Sequence, residues 1–298
     1  PRAPVDVTAL VTGATGFAGT WLCRLLVHRG VNVVGWARNA PSTPVAGVNY
    51  RAVDIRDGAT VKVAMGECRP TVVFHLAALA DPRVCEERPV EAMAINVQGT
   101  EHVFTSMPDG ARGLHVSTCH VYGQTPPVPI RPDTPLAPEG VYAETKALAD
   151  RWVAAARLPV AIARAFHHTG PGQSEAFALA DWCGQLRRGA GRLVTGNLDV
   201  RRDYCDVRDI VNGYRILAMR GESGRAYHLC SGRSESMRTY LSWAAGERRV
   251  RATIDPSRIR LRDVQDFRGD PTAAEALGWR RTHSLDQTLA SMASGREA

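Results

Sequence analysis

The stretch VTGATGFAGTWL, residues 11–22, contains three glycines spaced three residues apart. An apolar, strand-like segment leads into it, and the amphipathic segment TWLCRLLVHRG overlaps its end. Glycines at a strand–helix turn let the backbone turn tightly and approach a pyrophosphate, while the helix N-terminus supplies amide donors. A plain strand–helix turn needs one glycine rather than three, so the pattern predicts a dinucleotide-binding loop. The loop residues predicted to contact the dinucleotide are Gly13, Thr15, Gly16, Phe17, Ala18 and Gly19.

Strand-like and helix-like segments alternate over about the first 165 residues. The strand-like runs include VNVVGWA (31–37), PTVVFHLAA (70–78), RGLHVSTCHVYG (112–123) and PVAIARAF (159–166). The segments 90–107 and 141–157 read as helices. Near-continuous apolar strands that alternate with helices are typical of a parallel sheet covered on both faces. We therefore expect an α/β fold with a Rossmann-type, doubly wound parallel sheet.

The second half of the chain is less regular. Residues 204–219 read as one more helix, and GRAYHLCSG (224–232) reads as a further strand of the first sheet. The remainder consists of loops and short helices. We expect a dinucleotide-binding domain of residues 1–165 plus about 205–230, and a smaller, interleaved C-terminal substrate domain of residues 166–204 and 231–298.

The amino-acid composition indicates in which cellular compartment the protein works and which partners it lacks. No apolar run reaches the ~18–20 residues of a membrane span, and no secretory leader is evident. The seven cysteines are scattered without a CxxC pair, which argues against a disulfide framework or a zinc site and fits a reducing cytosol. We expect a cytoplasmic protein that contacts no membrane and holds no metal.

The formal net charge is +7, and arginine dominates it. Arginine binds phosphate groups with two parallel hydrogen bonds, so an anionic ligand is one interpretation. A nucleic-acid partner is not expected, because no basic tail or aromatic–basic repeat is present. An Arg-rich genome would raise the charge without any functional meaning.

The end of the second strand bears on which dinucleotide is bound. An acidic residue there commonly binds the ribose of NAD, whereas an arginine accommodates the 2′-phosphate of NADP. The acidic position holds Ala37, and Arg38 follows it. The sequence therefore favours NADP, with NAD as the alternative. Further predicted cofactor contacts are Asp54 and Ile55 beside the adenine, and Leu76, Ala77 and Ala78 along the pyrophosphate.

Tyr142 and Lys146 lie four residues apart in VYAETK and so share one face of the predicted helix. A nearby ammonium and the nicotinamide charge would lower the pKa of the phenol, which could then act as an acid or base near neutral pH. A Tyr-x-x-x-Lys pair is common by chance. It becomes specific beside the glycine loop and a Ser/Thr at the preceding strand end, here Thr118.

These motifs together resemble the extended short-chain dehydrogenase/reductases, which act mostly on nucleotide sugars. The resemblance runs over nearly the full length and includes HLAA (75–78), NVQGT (96–100), STCHVYG (117–123) and RRDYCDVRD (201–209). It implies that Thr118, Tyr142 and Lys146 are the catalytic triad. It also implies cofactor contacts from Asn96, Val116 and Phe166, besides Tyr142 and Lys146 themselves.

Three further stretches resemble the GDP-4-keto-6-deoxymannose reductases within that family. They are ARAFHHTGPGQ (163–173), TGNLDVRRDYCDVRDIVNGY (195–214) and DPSRIRLRDVQDFRGD (255–270). The resemblance implies NAD(P)H-dependent reduction of a 4-keto sugar nucleotide, with Arg202 and Arg260 on the diphosphate. The chain departs from the pattern at Ala165, where relatives carry Pro, and at His167, where they carry a substrate-contacting Asn. We expect His167 and His168 to face the substrate.

Cys119 and His120 stand where the 4,6-dehydratases of this superfamily carry Asp and Glu, so ordinary dehydration is not expected. Three interpretations stay open. His120 packs against or hydrogen-bonds the sugar while the triad reduces a ketone. His120 moves a proton at the carbon next to the ketone, as an epimerase or variant dehydratase requires. Cys119 is a reactive thiol, although a cysteine at a strand end is usually inert packing.

His75 is expected to be structural and buried below the cofactor. Family resemblance implies a homodimer formed through helices around 92–106 and 142–156. An alternative of a different class is a non-catalytic dinucleotide-binding module, which has no need of the triad.

Overall fold

The structure, a computed structural model, describes residues 7–124, 126–259 and 264–295. Its strands are β1 (Thr8–Thr12), β2 (Asn32–Ala37), β3 (Val48–Ala52), β4 (Val72–His75), β5 (Arg112–Thr118), β6 (Val160–Ala165), β7 (His167–Thr169), β8 (Arg192–Thr195), β9 (Arg201–Arg202), β10 (Tyr204–Asp206), β11 (Ala226–Leu229), β12 (Glu235–Ser236), β13 (Arg251–Ile254) and β14 (Asp266–Phe267).

The helices follow in chain order. They are α1 (Phe17–His28), α2 (Gly58–Cys68), α3 (Pro82–Glu87), α4 (Pro89–Met93), α5 (Gly99–Thr105), α6 (Val141–Ala155), α7 (Ala178–Arg187), α8 (Val207–Arg220), α9 (Met237–Ala245), α10 (Thr272–Ala276) and α11 (Leu285–Ser294). A π-helical turn, Ala94–Gln98, joins α4 to α5, and a 3₁₀ turn, Cys119–Tyr122, follows β5.

Seven parallel strands form the central sheet in the order β11-β6-β5-β4-β1-β2-β3. Successive side chains of a strand point to opposite faces, so each strand feeds two cores. In β1, Ala9 and Val11 pack with α1 and α8 on one face, while Leu10 packs with α2, α5 and α6 on the other. The predicted doubly wound α/β fold is confirmed.

The strand order reverses between β1 and β4. Open parallel sheets bind their ligands in the crevice at the carboxyl ends of the strands where such a reversal occurs. The glycine loop follows β1, residues 76–80 follow β4, and the 3₁₀ turn follows β5. The sheet therefore brings the predicted cofactor and catalytic segments to one edge.

A separate hydrophobic cluster lies in the second half of the chain, where α7, α9 and α11 pack together around Trp182, Tyr240 and Leu289. Short strands accompany it, including the three-stranded sheet β12-β9-β14. Helix α8 and strand β11 belong instead to the central sheet and its core. The division of the chain into two domains at the predicted boundaries stays our prediction.

Helices long and apolar enough to cross a membrane are absent from the described ranges 7–124, 126–259 and 264–295.

Candidate active site

The glycine loop is shaped by two close backbone approaches. Gly13 has φ +68°, and a Cβ there would lie 2.8 Å from the amide nitrogen of Ala77. A Cβ on Gly19 would lie 2.1 Å from the Gly13 carbonyl oxygen. Gly16, by contrast, is exposed, and an added Cβ would meet only the Gly13 carbonyl oxygen, at 3.2 Å. The loop is thus tight on its inner side and open on its outer side.

Helix α1 begins directly behind this loop, at Phe17. No side chain caps its N-terminus, and its first turn contains no acidic residue. Its first amides are therefore left for a ligand, and the positive end of the helix dipole favours an anion. Exposed Thr15 and half-buried Phe17 and Ala18 border the same opening. The loop fits the pyrophosphate of a dinucleotide.

Charged side chains collect where β2 ends. The exposed guanidinium of Arg38 lies 3.7 Å from Glu91 Oε1, and Arg56 NH1 lies 3.4 Å from the same oxygen. Arg56 also pairs with Asp54 through two 3.0 Å hydrogen bonds from its Nε, and these lower the pKa of the Asp54 carboxyl. Ile55 is buried against Gly99. Arg56 and Glu91 were not singled out from the sequence, because only the fold brings them to Arg38.

The loop after β4 is held from behind by Asn96. Its Oδ1 accepts a hydrogen bond from the Leu79 amide at 2.8 Å, and its Nδ2 donates to the Leu79 carbonyl at 3.1 Å. The Asn96 side chain is fully buried. Leu76, Ala77 and Ala78 are half-buried along this loop. Asn96 therefore supports the loop rather than lying on its surface, which differs from the direct cofactor contact expected.

Thr118, Tyr142 and Lys146 come together at the carboxyl end of β5. Thr118 is its last residue, and Tyr142 and Lys146 lie in the first turns of α6. The Thr118 side chain lies close enough to the Tyr142 hydroxyl to lower the pKa of that phenol. Lys146 is buried, and its ammonium donates to the Val116 carbonyl at 2.6 Å.

The acid–base properties of the pair differ from the expectation. Burial raises the pKa of Tyr142 above its usual value, and the neighbouring Thr118 side chain acts in the opposite direction. Burial lowers the pKa of Lys146 to about 8. The Tyr142 pKa is raised and not lowered as predicted, because burial outweighs the effect of the ammonium, which donates its hydrogen bond to the Val116 carbonyl. At neutral pH the site therefore holds a protonated phenol beside an ammonium.

A buried ion pair lies one helical turn beyond Lys146. Asp150 Oδ2 accepts a 2.8 Å hydrogen bond from Arg164 Nε, and His115 Nε2 lies 3.3 Å from Asp150 Oδ1. Burial lowers the pKa of His115 to about 4, and Lys146 adds to this effect. Asp150 also raises the pKa of Lys146, opposing the effect of burial. This buried carboxylate therefore supports the charge of the ammonium.

His120 is half-buried and lies in a cluster of aromatic rings beside Tyr142. Its ring centroid lies 6.3 Å from that of Tyr142, 5.6 Å from that of His167 and 6.1 Å from that of Phe267. His167 in turn lies 5.2 Å from Tyr204, its register partner across β7 and β10. The sequence predicted the two histidines but missed Tyr204 and Phe267, whose motifs gave no sign of a contact with His120.

Two predicted site residues face elsewhere. His168 stacks on Phe17, with ring centroids 6.1 Å apart, and its Nδ1 lies 2.9 Å from the Phe166 carbonyl oxygen. It therefore packs against the glycine loop and not in the His120 cluster, since neighbours along β7 point to opposite sides. The Phe166 side chain is buried, and its ring lies against those of His228 and Phe267.

Of the remaining predicted substrate contacts, Cys119 and Arg202 are buried, and the third lies outside the residues that the structure describes. Cys119 is buried, and burial raises its pKa to about 12, which leaves the thiol un-ionised and argues against a reactive role. Arg202 is largely buried in β9, and its NH1 donates to the carbonyls of Arg201 (2.8 Å) and Val264 (2.5 Å). Arg260 lies outside the described residues.

Comparison with known proteins agrees with this geometry. The profile of the NAD dependent epimerase/dehydratase family matches residues 9–230. GDP-6-deoxy-D-mannose reductase from Pseudomonas aeruginosa is 31% identical over 248 residues, covering 77% of this chain and 81% of that protein.

Two solved structures extend the similarity to nearly the whole chain. RMD from Pseudomonas aeruginosa complexed with NADPH has a TM-score of 0.83 and 27% identity, and covers 98% of each chain. UDP-glucose 4-epimerase from Thermus thermophilus in complex with NAD also has a TM-score of 0.83, with 25% identity over 96% of this chain and 98% of the other. The chain belongs to the NAD dependent epimerase/dehydratase family, as its motifs predicted.

Proposed function

We propose that this protein is an NAD(P)H-dependent reductase of a 4-keto-6-deoxy nucleotide sugar, similar to GDP-4-keto-6-deoxymannose. The observation that carries the proposal is the placement of Thr118, at the end of β5, beside Tyr142, with the buried Lys146 one turn away on the same helix. The 31% identity to a GDP-6-deoxy-D-mannose reductase favours this substrate class.

Each residue has a distinct role in the proposed reaction. A reduced nicotinamide, when bound, supplies hydride to the carbonyl carbon of the sugar. Thr118 and Tyr142 donate hydrogen bonds to the ketone oxygen, and Tyr142 gives that oxygen its proton. A phenol whose pKa is raised is protonated at neutral pH, as an acid must be. Lys146 supplies a positive charge that stabilises the phenolate left behind.

The cofactor would lie across the glycine loop. Phosphate oxygens would meet the free amides at the start of α1, and the loop after β4, held by Asn96, would border the pyrophosphate. We propose NADP rather than NAD, because the guanidinium groups of Arg38 and Arg56 converge near the end of β2. A 2′-phosphate there would be held by charge-assisted hydrogen bonds.

The two residues that follow β5, Cys119 and His120, favour reduction over dehydration. Dehydration between neighbouring carbons needs groups that remove and deliver protons beside the ketone, and the 4,6-dehydratases use Asp and Glu for this. Here the buried Cys119 thiol is un-ionised at neutral pH, and His120 supplies a ring in place of a carboxylate.

A second candidate function rests on His120. Its ring lies beside those of Tyr142 and His167, so an imidazole, a common general acid or base, is placed next to the phenol. An epimerase or variant dehydratase would use His120 to move a proton at the carbon next to the ketone.

The test mixes the purified protein with NADPH and GDP-4-keto-6-deoxymannose and follows absorbance at 340 nm. The proposal predicts loss of absorbance with formation of the alcohol. Solvent deuterium in the sugar without net oxidation of NADPH, abolished by His120→Ala, would instead support the second candidate. No reaction with any 4-keto nucleotide sugar would contradict both.

Several predictions accompany this function. We propose that Arg202 and Arg260 bind the diphosphate of the sugar nucleotide and that His167 contacts the sugar. A homodimer formed through the helices around 92–106 and 142–156, and a cytoplasmic location, stay predictions.

A further inference from the structure

A row of buried polar side chains runs from the end of β1 to α6. We call it the polar row, and its members are at most 2% exposed: Thr12, His75, Thr100, Asn96 and Thr145. Apolar residues, among them Leu10, Val73 and Phe104, form the core on this side of the sheet. A polar group in such a place destabilises the fold unless it is hydrogen-bonded. The arrangement of those bonds is therefore informative.

The direction of the bonds at His75 follows from their chemistry. The Thr100 hydroxyl donates to the Asn96 carbonyl at 2.7 Å, so it must accept from His75 Nε2, 3.0 Å away. Burial lowers the pKa of His75 well below its usual value, so the ring is neutral and carries one N–H. A proton on Nε2, with Nδ1 as an acceptor, is the tautomer that satisfies the bonds on both sides of the ring.

The other side of His75 reaches the glycine loop. Since Nδ1 accepts, the Thr12 hydroxyl must donate to it across 2.8 Å. Thr12 Oγ1 in turn accepts the Ala77 amide at 3.1 Å. Thr12 immediately precedes Gly13, and Ala77 is the residue whose amide nitrogen a Cβ on Gly13 would approach to 2.8 Å. The bonds of His75 thus fix the two loops of the dinucleotide site relative to each other.

The same logic continues from Asn96 to the catalytic helix. The Thr145 hydroxyl donates to the Tyr142 carbonyl at 2.9 Å, so it accepts from Asn96 Nδ2 at 3.0 Å. Asn96 also bonds both backbone groups of Leu79. Asn96 lies in the π-helical turn between α4 and α5, and such turns are frequent at functional sites.

We propose that the polar row positions Tyr142 relative to the glycine loop, so that its five members act as positioning residues for both cofactor binding and proton delivery. The row joins β1, the loop after β4, the π-helical turn and α6 through hydrogen bonds that a single assignment of donors and acceptors satisfies together. The proposal rests on the proposed function in taking the glycine loop as the dinucleotide site and Tyr142 as the acid.

Variants at the two ends of the row test this. Thr12→Val and Thr145→Val each remove one hydroxyl while keeping a β-branched side chain. We expect Thr145→Val to weaken NADPH binding at least fivefold, although it lies at the catalytic end. We expect Thr12→Val to lower kcat at least fivefold, although it lies at the cofactor end. In the double variant, the fold-loss of NADPH affinity and of kcat should each be much smaller than the product of the losses in the two single variants. Removing either hydroxyl already breaks the coupling between the two ends of the row.

Controls separate positioning from general loss of a threonine hydroxyl. Thr105 also donates to a carbonyl one turn back in its helix, that of Glu101 at 2.7 Å, but it is exposed and outside the row. Thr105→Val should leave both NADPH binding and kcat unchanged, and Thr145→Ser should restore both. The proposal would be overturned if Thr12→Val changed only NADPH binding and Thr145→Val changed only kcat. It would also be overturned if the two effects multiplied in the double variant, or if Thr105→Val had an effect as large as theirs.

A measurement on the free protein makes the row testable without substrate. The ¹⁵N shifts of His75 should show the proton on Nε2, with Nδ1 unprotonated, and Thr12→Val should shift the Nδ1 signal. A proton on Nδ1 would overturn the assigned bond directions and the proposal with them. If no 4-keto sugar is reduced, the proposed reaction is wrong. The ¹⁵N shifts and the NADPH titrations of Thr12→Val and Thr145→Val then still test whether the polar row positions the glycine loop.

Discussion

Acidification from pH 8 to pH 5 should destabilise the folded protein, because buried histidines cannot take up protons. Burial lowers the pKa of His115 to about 4 and that of His228 to about 3, and it lowers the pKa of His75 in the same direction. A histidine in the unfolded chain titrates near ~6.5. As the pH falls below that value, the unfolded chain gains protons that the folded chain does not bind.

The size of the loss follows from proton linkage. At pH 5, His115 and His228 each favour the unfolded chain by about 2 kcal/mol relative to pH 8. Asp203 acts in the opposite direction, because burial raises its pKa to about 6 and the folded chain binds that proton first. The Asp203 carboxyl therefore offsets about 1 kcal/mol of the stability loss at pH 5. The net loss is about 3 kcal/mol, and His75 increases it.

Urea unfolding followed by circular dichroism at pH 8, 6 and 5 measures this loss. His228→Gln, which keeps a polar group beside the Tyr122 hydroxyl now 2.6 Å from His228 Nε2, should remove about 2 kcal/mol of the acid-dependent loss. His28→Gln, on the exposed last turn of α1, is the matched control and should leave the loss unchanged. Equal stability at pH 8 and pH 5, or an acid loss that His228→Gln does not reduce, would refute the reasoning.

Three further predictions concern the site itself. Gly19→Ala places a Cβ 2.1 Å from the Gly13 carbonyl oxygen, so NADPH binding measured by fluorescence titration should weaken at least tenfold. Gly66→Ala is the control, because a Cβ there meets nothing within 4 Å; equal NADPH binding by the two variants would contradict the packing argument. Arg38→Gln should weaken NADPH binding about 10- to 100-fold, the loss of one charge-assisted bond or two, while NADH binding stays the same; a parallel loss for both would remove Arg38 from the 2′-phosphate site. Because the pKa of Lys146 is about 8, kcat/KM for reduction should be constant from pH 6 to pH 7 and fall as the pH rises through 8 and the ammonium is lost; a rate that rises over this range would show that Lys146 acts in its neutral form.

The parts of the site that sequence could predict are local ones. The glycine loop depends on spacing within seven residues, and each of Gly13 and Gly19 has a close backbone neighbour that explains it. Tyr142 and Lys146 depend on one helical turn. The parallel sheet follows from apolar runs that alternate with helices. In each case the deciding contacts lie close in sequence or follow from a regular repeat.

The parts that sequence could not predict depend on which face a side chain takes or on distant pairing. His167 and His168 are adjacent, yet one joins the His120 cluster and the other stacks on Phe17. Phe267 reaches His120 only because β14 pairs with β9. The row that links Thr12 to Thr145 spans four separate segments, so no spacing in the sequence could indicate it.

The pKa of Tyr142 shows the same limit in energetic terms. The four-residue spacing from Lys146 predicted a lowered value, but burial outweighs the charge. A raised pKa still suits the proposed reaction, because reduction requires a phenol that holds its proton until the ketone oxygen accepts it.

The most direct test compares the wild-type protein with Tyr142→Phe in the NADPH assay with GDP-4-keto-6-deoxymannose, after cofactor binding by both has been shown to be equal. The proposal predicts NADPH oxidation by the wild type and a loss of kcat of at least 100-fold in the variant, in the range typical of general acid catalysis, roughly 10²- to 10⁴-fold. Equal rates of NADPH oxidation by the two proteins would contradict the assignment of Tyr142 as the acid.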